Sequence, residues 1–91
     1  YIAQKKADSI ATQANLAGTL LRTKEYRKAY KATERLKTKV RAMRTLGLQS
    51  KEGEYSMENI AFKILRRDGT LTLLSQIKDA AYDKMMSIDG A

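Results

Sequence analysis

The chain of 91 residues contains no cysteine and no histidine. Without cysteine it can form no disulfide, no thiolate metal site and no cysteine nucleophile, and without histidine it lacks the commonest metal ligand and general base. These absences exclude most familiar catalytic arrangements, so we expect a non-enzymatic protein with no metal ion and no cofactor. The lack of cysteine is compatible with a reducing compartment or a virion and does not determine the location.

Proline is also absent, glycine occurs only five times, and no apolar run approaches the roughly 18 to 20 residues that span a bilayer. Because only glycines interrupt the pattern, we expect long helices. Apolar residues recur every three or four positions, which predicts a single all-α domain over residues 1–91, with three or four helices at about 2–21, 24–46, 57–68 and 71–88. A chain of this size buries only roughly 60 to 65% of its unfolded surface, so a partner or an oligomer would add stability.

Local signals set the expected helix ends. Thr23 is predicted to cap the second helix after a break near residues 22–24, and Gly47 is predicted to stop that helix. Ser56 is the predicted N-cap of the third helix. Asp68-Gly69 ends the third helix, and Thr70 is the predicted cap of the fourth.

The segment at 62–74 has an alternative interpretation. It reads FKILRRDGTLTLL, with a turn-forming Asp-Gly pair between two β-prone runs, and so could form a hairpin in an α+β fold. The helical pattern that continues through Ile88 favours two helices instead.

Part of the first two helices resembles the helical hairpin of tetratricopeptide repeats. The resemblance covers about twenty residues and depends on the spacing of Leu16, Ala17, Leu20, Tyr26 and Ala29. However, Lys24 stands where the repeat has glycine, Thr33 stands where it has a bulky apolar residue, and no second copy follows about 34 residues later. The chain is therefore not assigned to that family.

Positive charge is concentrated between Arg22 and Arg44. This stretch holds ten of the eighteen lysine and arginine residues against Glu25 and Glu34, so its net charge of +8 equals that of the whole chain. At 100° per residue, the second helix has an inner apolar stripe, which we expect to form the core: Tyr26, Ala29, Thr33, Leu36, Val40 and Met43. Outside this stripe a continuous basic ridge is predicted from Lys24, Lys28, Lys31, Arg35 and Lys39, with Lys37, Arg41 and Arg44 along the opposite border.

The apolar faces of the other helices complete the predicted core. They consist of Ile2, Ile10, Ala14, Ala17, Leu20 and Leu21 in the first helix, Ile60, Ala61, Ile64 and Leu65 in the third, and Leu71, Leu74, Ile77, Ala81, Met85 and Ile88 in the fourth. We expect the third and fourth helices to cover the apolar face of the second.

Lysine and arginine at helical spacing can follow a sugar-phosphate backbone and release its counterions. A charged helix face is often merely solvated, but like charges four residues apart, such as Lys31 and Arg35, each cost roughly 0.2–0.5 kcal/mol unless an anion compensates them. We therefore predict a non-enzymatic nucleic-acid-binding domain that contacts the backbone of DNA or RNA. The predicted contact residues are Lys24, Arg27, Lys28, Lys31, Arg35, Lys39, Arg41 and Arg44. Tyr26 and Tyr30 could stack on bases, but core packing is the favoured role.

The alternative is a structural or assembly subunit of a virion, filament or secretion-type complex that packs through its helices into a homo-oligomer. Few aromatic residues and an alanine-rich first helix suit such a subunit. Its basic ridge would then face a neighbour's acidic surface, formed by Glu52, Glu54, Glu58 and Asp89. Membrane binding is not expected, because the basic helix lacks large apolar anchors.

Overall fold

The computed structural model describes residues 2–89, with the side chains of residues 2–87. They form α1 (Ile2–Arg22), α2 (Tyr26–Gln49), α3 (Met57–Arg67) and α4 (Thr70–Asp89), with a 3₁₀ turn at Gly53–Tyr55. No strand occurs between residues 2 and 89, which confirms the predicted all-α class. The alternative hairpin at 62–74 is wrong, because these residues form the end of α3, a two-residue turn and the start of α4.

The central helix is α2, which packs against each of the other three. α4 runs antiparallel to it, since Tyr30 of α2 contacts Tyr82, and Glu34, one turn later, contacts Lys78, one turn earlier. α1 is also antiparallel to α2, to which a three-residue turn connects it. The shorter α3 packs against α1 and α2. The result is an elongated bundle of 51 × 21 × 17 Å.

The core follows the predicted apolar stripes with two corrections. In α2 the four middle members of the stripe are buried, and Tyr26 and Met43 are half-buried at its ends. Ile2 and Ile60, which were predicted to lie in the core, are 51% and 36% exposed. Ile88 lies outside the described side chains. The buried apolar residues are Ala3, Ala7, Ile10, Ala14, Ala17, Ala29, Leu36, Val40, Ala61, Leu65, Leu74, Ile77 and Ala81.

Seven of these thirteen core residues are alanines of α1 or of the helices that face it. Small side chains bring helix axes close together, so α1 buries its alanine face against its neighbours and leaves the larger Ile2 at the margin. Ala3 and Ala7, which were not among the predicted core residues of the first helix, are buried in this contact.

α1 ends in a Schellman motif, in which Lys24 has a left-handed backbone with φ of 66°. The Glu25 amide donates to the Leu20 carbonyl (2.9 Å), and the Lys24 amide donates to the Leu21 carbonyl (3.1 Å); these two hydrogen bonds define the motif. The predicted break is confirmed, whereas the Thr23 cap is wrong. The Thr23 hydroxyl instead lies within hydrogen-bonding distance of the Leu20 carbonyl and the Glu25 carboxylate.

The predicted stop at Gly47 is also wrong, because α2 continues through Gly47 to Gln49. Gly47 is buried under the start of α3. A Cβ atom at this position would lie 2.7 Å from the backbone nitrogen of Asn59 and 2.9 Å from Oγ of Ser56. The missing side chain therefore permits a close approach of two helices and does not terminate α2.

Ser56 caps α3 as predicted. Its hydroxyl accepts a hydrogen bond from the Asn59 amide (3.2 Å) and donates to the Gly47 carbonyl (3.0 Å). The buried Asn59 side chain donates to the Glu54 carbonyl (2.9 Å). These bonds join the end of α2, the loop and the start of α3 in one polar cluster.

Asp68 and Gly69 connect α3 to α4, as predicted, and Gly69 has a left-handed φ of 79°. Thr70 was predicted to cap α4, but it is the first residue of that helix. The Gly69 carbonyl accepts the first helical hydrogen bond, from the Leu73 amide (2.9 Å).

Candidate nucleic-acid interface

The cations of α2 lie on two flanks of that helix. We call Lys28, Lys31, Arg35 and Lys39 the α1-side flank, and Lys37, Arg41 and Arg44 the α4-side flank. With 100° per residue, the centres of the two sets lie roughly 150° apart around the α2 axis. α1 packs along one border of the inner stripe and α4 along the other, and α3 packs against all three of these helices. The predicted ridge and its supporting arginines therefore do not form one surface.

On the α1-side flank, Lys31, Arg35 and Lys39 are all exposed. Arg35 lies beside the apolar residues of α1 that border α2. Lys39 shares a shallow groove with Lys6 of α1, in which Glu58 is the acidic lining residue. Within the part of the chain that the structure describes, none of the three cations of α2 forms an ion pair with a carboxylate. Lys6 was absent from the sequence-based prediction because its position beside α2 depends on helix packing.

The first two residues of the predicted ridge behave differently. Lys24 lies in the turn before α2 and does not continue the helical ridge. Nζ of Lys28 lies 3.1 Å from a carboxylate oxygen of Glu25. The pKa of Glu25 is lowered mainly by the hydrogen bond from Lys28 and, to a smaller extent, by the one from Thr23. Arg27 is exposed on the outer face between the two flanks.

The α4-side flank borders a groove of about 210 Å³ between α2, α3 and α4. Its polar lining is Lys37, Arg41, Arg44 and Ser75, and Phe62 of α3 forms an apolar wall; we call it the Phe62 groove. The guanidinium carbon of Arg44 is 5.5 Å from the centre of the Phe62 ring, and that of Arg66 is 5.9 Å away. Both distances are within the range of cation–π attraction.

Neither Phe62 nor Arg66 is among the contact residues predicted from the sequence. The groove depends on contacts among three helices, and its only signal in the sequence is the proximity of Phe62 to Arg66 on one face of α3.

Glu34 of α2 forms an ion pair with Lys78 of α4. Its carboxylate accepts a hydrogen bond from Nζ of Lys78 at 2.7 Å. This bond is the main reason that the pKa of Glu34 is lowered and that of Lys78 is raised. The charge of Lys37, one turn further along α2, lowers the pKa of Glu34 as well.

Tyr26 and Tyr30 are half-buried. The Tyr30 ring lies 6.1 Å from the ring of Tyr82, with the two planes tilted by 39°. Nζ of Lys78 is 5.9 Å from the centre of the Tyr30 ring. Tyr30 is therefore part of the contact between α2 and α4.

Residues 2–89 contain no group of three or more acidic side chains placed to hold a metal ion. No helix among the described residues has the length and apolar character needed to cross a membrane. No family model matches the chain, and no curated protein or solved structure is significantly similar to it.

Proposed function

We propose that this chain is a non-enzymatic nucleic-acid-binding domain that contacts the phosphate backbone of DNA or RNA through the α1-side flank of α2. The supporting observation is that Lys31, Arg35 and Lys39 are exposed on one flank and have no carboxylate partner among the described residues. The like-charge pairs Lys31/Arg35 and Arg35/Lys39 each cost roughly 0.2–0.5 kcal/mol when uncompensated. Backbone phosphates would supply the missing negative charge.

The chemistry of these side chains suits a backbone more than base edges. Arginine can bind a phosphate with two parallel hydrogen bonds, and lysine binds it as a point charge. Residues 31, 35 and 39 rise by about 6 Å from one to the next along the helix. They form a row that can follow successive phosphates, with Lys6 and Lys28 at its margins.

Salt dependence tests this function directly. Binding of the chain to a labelled duplex and to a labelled single strand is measured at about 50 and 200 mM salt. Four phosphate contacts on a duplex predict a loss of roughly 150-fold in affinity across this range, because each contact releases condensed counterions. Absence of binding at the lower salt concentration would refute the proposal.

A charge-reversal variant locates the interface. Lys31→Glu/Arg35→Glu should remove most of the binding, whereas Lys51→Glu/Lys84→Glu makes the same change in net charge at exposed positions elsewhere and should weaken it only modestly. Circular dichroism of both variants checks that the helices are retained. An equal loss of affinity in the two variants would mean that net charge, and not the α1-side flank, governs binding.

The second candidate is an assembly subunit that forms a homo-oligomer. It is supported by an apolar groove of about 600 Å³ between α1 and α4. Leu16 beside this groove is 60% exposed, and Arg22 is the only charged residue of the lining. A chain of net charge +8 associates with its own copy most readily through an uncharged surface, since like charges repel. Among the acidic residues expected to face a neighbour, Glu54 lies 4.0 Å from Lys63, and the side chain of Asp89 lies outside the described residues.

Light scattering separates the two candidates. An assembly subunit should have a defined oligomeric mass that persists at about 200 mM salt and that Leu16→Gln reduces. Under the nucleic-acid proposal, the mass of the free chain is unaffected by Leu16→Gln. A salt-resistant oligomer without nucleic-acid affinity would establish the second candidate in place of the first.

A further inference from the structure

The Phe62 groove is a second concentration of positive charge among the described residues. Lys37 and Arg41 form no ion pair within residues 2–89. No carboxylate lines the groove. The acidic residues within one turn of its lining lie outside it: Glu34 is bound to Lys78 and Asp68 to Arg67, Glu58 lines the groove beside α1, and Asp79 follows Ser75 by one turn. The groove itself therefore has a net positive charge.

The geometry of the groove favours a phosphate. Arg44 is held against the Phe62 ring, so part of the entropy cost of ordering its side chain is already met before a ligand binds. Arg41 adds a second guanidinium group, whose planar array of donors matches phosphate oxygens. The Ser75 hydroxyl lines the opposite wall on α4. A groove of about 210 Å³ has room for one phosphate and part of a sugar.

The two flanks of α2 face away from each other, at roughly 150° around the helix axis. A backbone segment that lies along Lys31, Arg35 and Lys39 is directed away from the Phe62 groove. The phosphate that the groove binds must therefore belong to a different segment of nucleic acid.

We propose that the Phe62 groove binds the backbone of a second nucleic-acid segment, so that a single copy of the chain bridges two segments. This inference rests on the proposed function of the α1-side flank. Lys37, Arg41 and Arg44 then form the second contact, and substitutions at these residues should leave the first contact, through the α1-side flank, intact.

The test uses a duplex attached to beads and a second, fluorescent duplex in solution, both without single-stranded ends. The chain should retain the fluorescent duplex on the beads at about 50 mM salt. Lys37→Gln/Arg41→Gln, which leaves the contact between Arg44 and Phe62 in place, should reduce this retention at least about tenfold, because two charge-assisted hydrogen-bonding groups are lost. Its affinity for a single free duplex should remain within about threefold of that of the unmodified chain.

Lys51→Gln/Lys84→Gln is the matched control, since it removes two exposed charges outside both flanks and should retain bridging. If the unmodified chain binds duplex but retains no second duplex, the bridging inference is wrong and the proposed function stands. If no duplex binds at all, the proposed function fails and bridging fails with it.

Two further outcomes would also overturn the inference. One is equal retention by the groove variant and the control, which would mean that bridging arises elsewhere, for instance through a dimer detected by light scattering. The other is loss of binding to a polyglutamate peptide in the groove variant while bridging persists, which would make an acidic protein segment the occupant of the groove.

Discussion

Replacing Gly47 with alanine should destabilise the fold, although alanine is the better helix former. Gly47 lies inside α2, two residues before its end, so propensity alone predicts a gain of about 1 kcal/mol. The opposing effect is steric. The new Cβ would stand 2.7 Å from the backbone nitrogen of Asn59 and 2.9 Å from Oγ of Ser56. The first atom belongs to the backbone, and the second is held by hydrogen bonds to the Asn59 amide and the Gly47 carbonyl.

The size of the effect follows from what must move. To restore an ordinary contact of 3.4 Å in place of 2.7 Å, the start of α3 must shift by about 0.7 Å. This shift disturbs the Ser56 cap and the hydrogen bond to the Gly47 carbonyl. Overpacking of this kind costs about 1–3 kcal/mol, and loss of an N-cap costs about 1 kcal/mol. After subtraction of the propensity gain, we expect Gly47→Ala to lower the free energy of unfolding by about 1–3 kcal/mol.

Gly18→Ala is the matched control. Gly18 also lies inside a helix, but a Cβ there would meet Arg22 and Ile77 side-chain atoms at 3.6 Å, which is ordinary contact. We expect it to raise stability by about 0.5–1 kcal/mol.

Thermal and urea unfolding followed by circular dichroism at the helical band measure both variants. For a domain of this size, each kcal/mol shifts Tm by about 4–8 °C, so the two variants should move in opposite directions. If Gly47→Ala stabilised the fold as much as Gly18→Ala, the close approach of α2 and α3 would be refuted.

Three further predictions concern a turn, a cap and an ion pair. Lys24→Gly should stabilise the fold by about 1 kcal/mol in urea unfolding, because it removes a Cβ from a left-handed residue, whereas Lys24→Ala, which loses the same charge, should not. Ser56→Ala should cost about 1–2 kcal/mol in the same assay, since it removes both the cap and the buried bond to Gly47; no loss would contradict the cap. Because its pair with Lys78 lowers the pKa of Glu34 in the folded state, this pair stabilises the fold at pH values above 4.5, the usual pKa of glutamate. The stabilisation is lost as the pH falls through the lower, folded-state pKa. Tm should therefore fall less steeply below pH 4.5 in Glu34→Gln than in the unmodified chain, and identical slopes would contradict the pair.

Features that depend on neighbours in the sequence were predictable. The inner stripe of α2 follows from the 100° rotation per residue, and the Ser56 cap follows from a hydroxyl placed three residues before an amide it can accept from. The ion pair between Glu25 and Lys28 is also local, because Glu25 immediately precedes α2 and Lys28 lies in the first turn of that helix. This ion pair is predictable from the sequence, and it means that Lys28 differs from the other residues of the predicted ridge in having a carboxylate partner.

The roles of Gly47 and Lys24 could not be predicted from their neighbours in the sequence. The sequence cannot distinguish a glycine that ends a helix in a left-handed conformation from one that lets another helix approach, because both positions require only the absence of a Cβ. Gly47 belongs to the second kind. Lys24 presents the reverse case: a residue that disfavours the left-handed conformation adopts it, since the packing of α1 against α2 requires a tight turn there.

By itself the sequence determined the helical class, the faces that each helix buries and the concentration of charge on α2, because these depend on composition and on a fixed helical period. Only the tertiary structure decided which neighbouring helices lie beside each group of cations. The packing of α1 on one border of α2 and of α4 on the other places one flank of cations beside α1 and the other in the Phe62 groove. The same packing brings Lys6 beside Lys39 and Phe62 beside Arg44, and it joins Glu34 to Lys78 across 44 positions of the chain. Contacts between distant residues have no signal in the periodicity of either helix, so they become visible only when the helices are packed together.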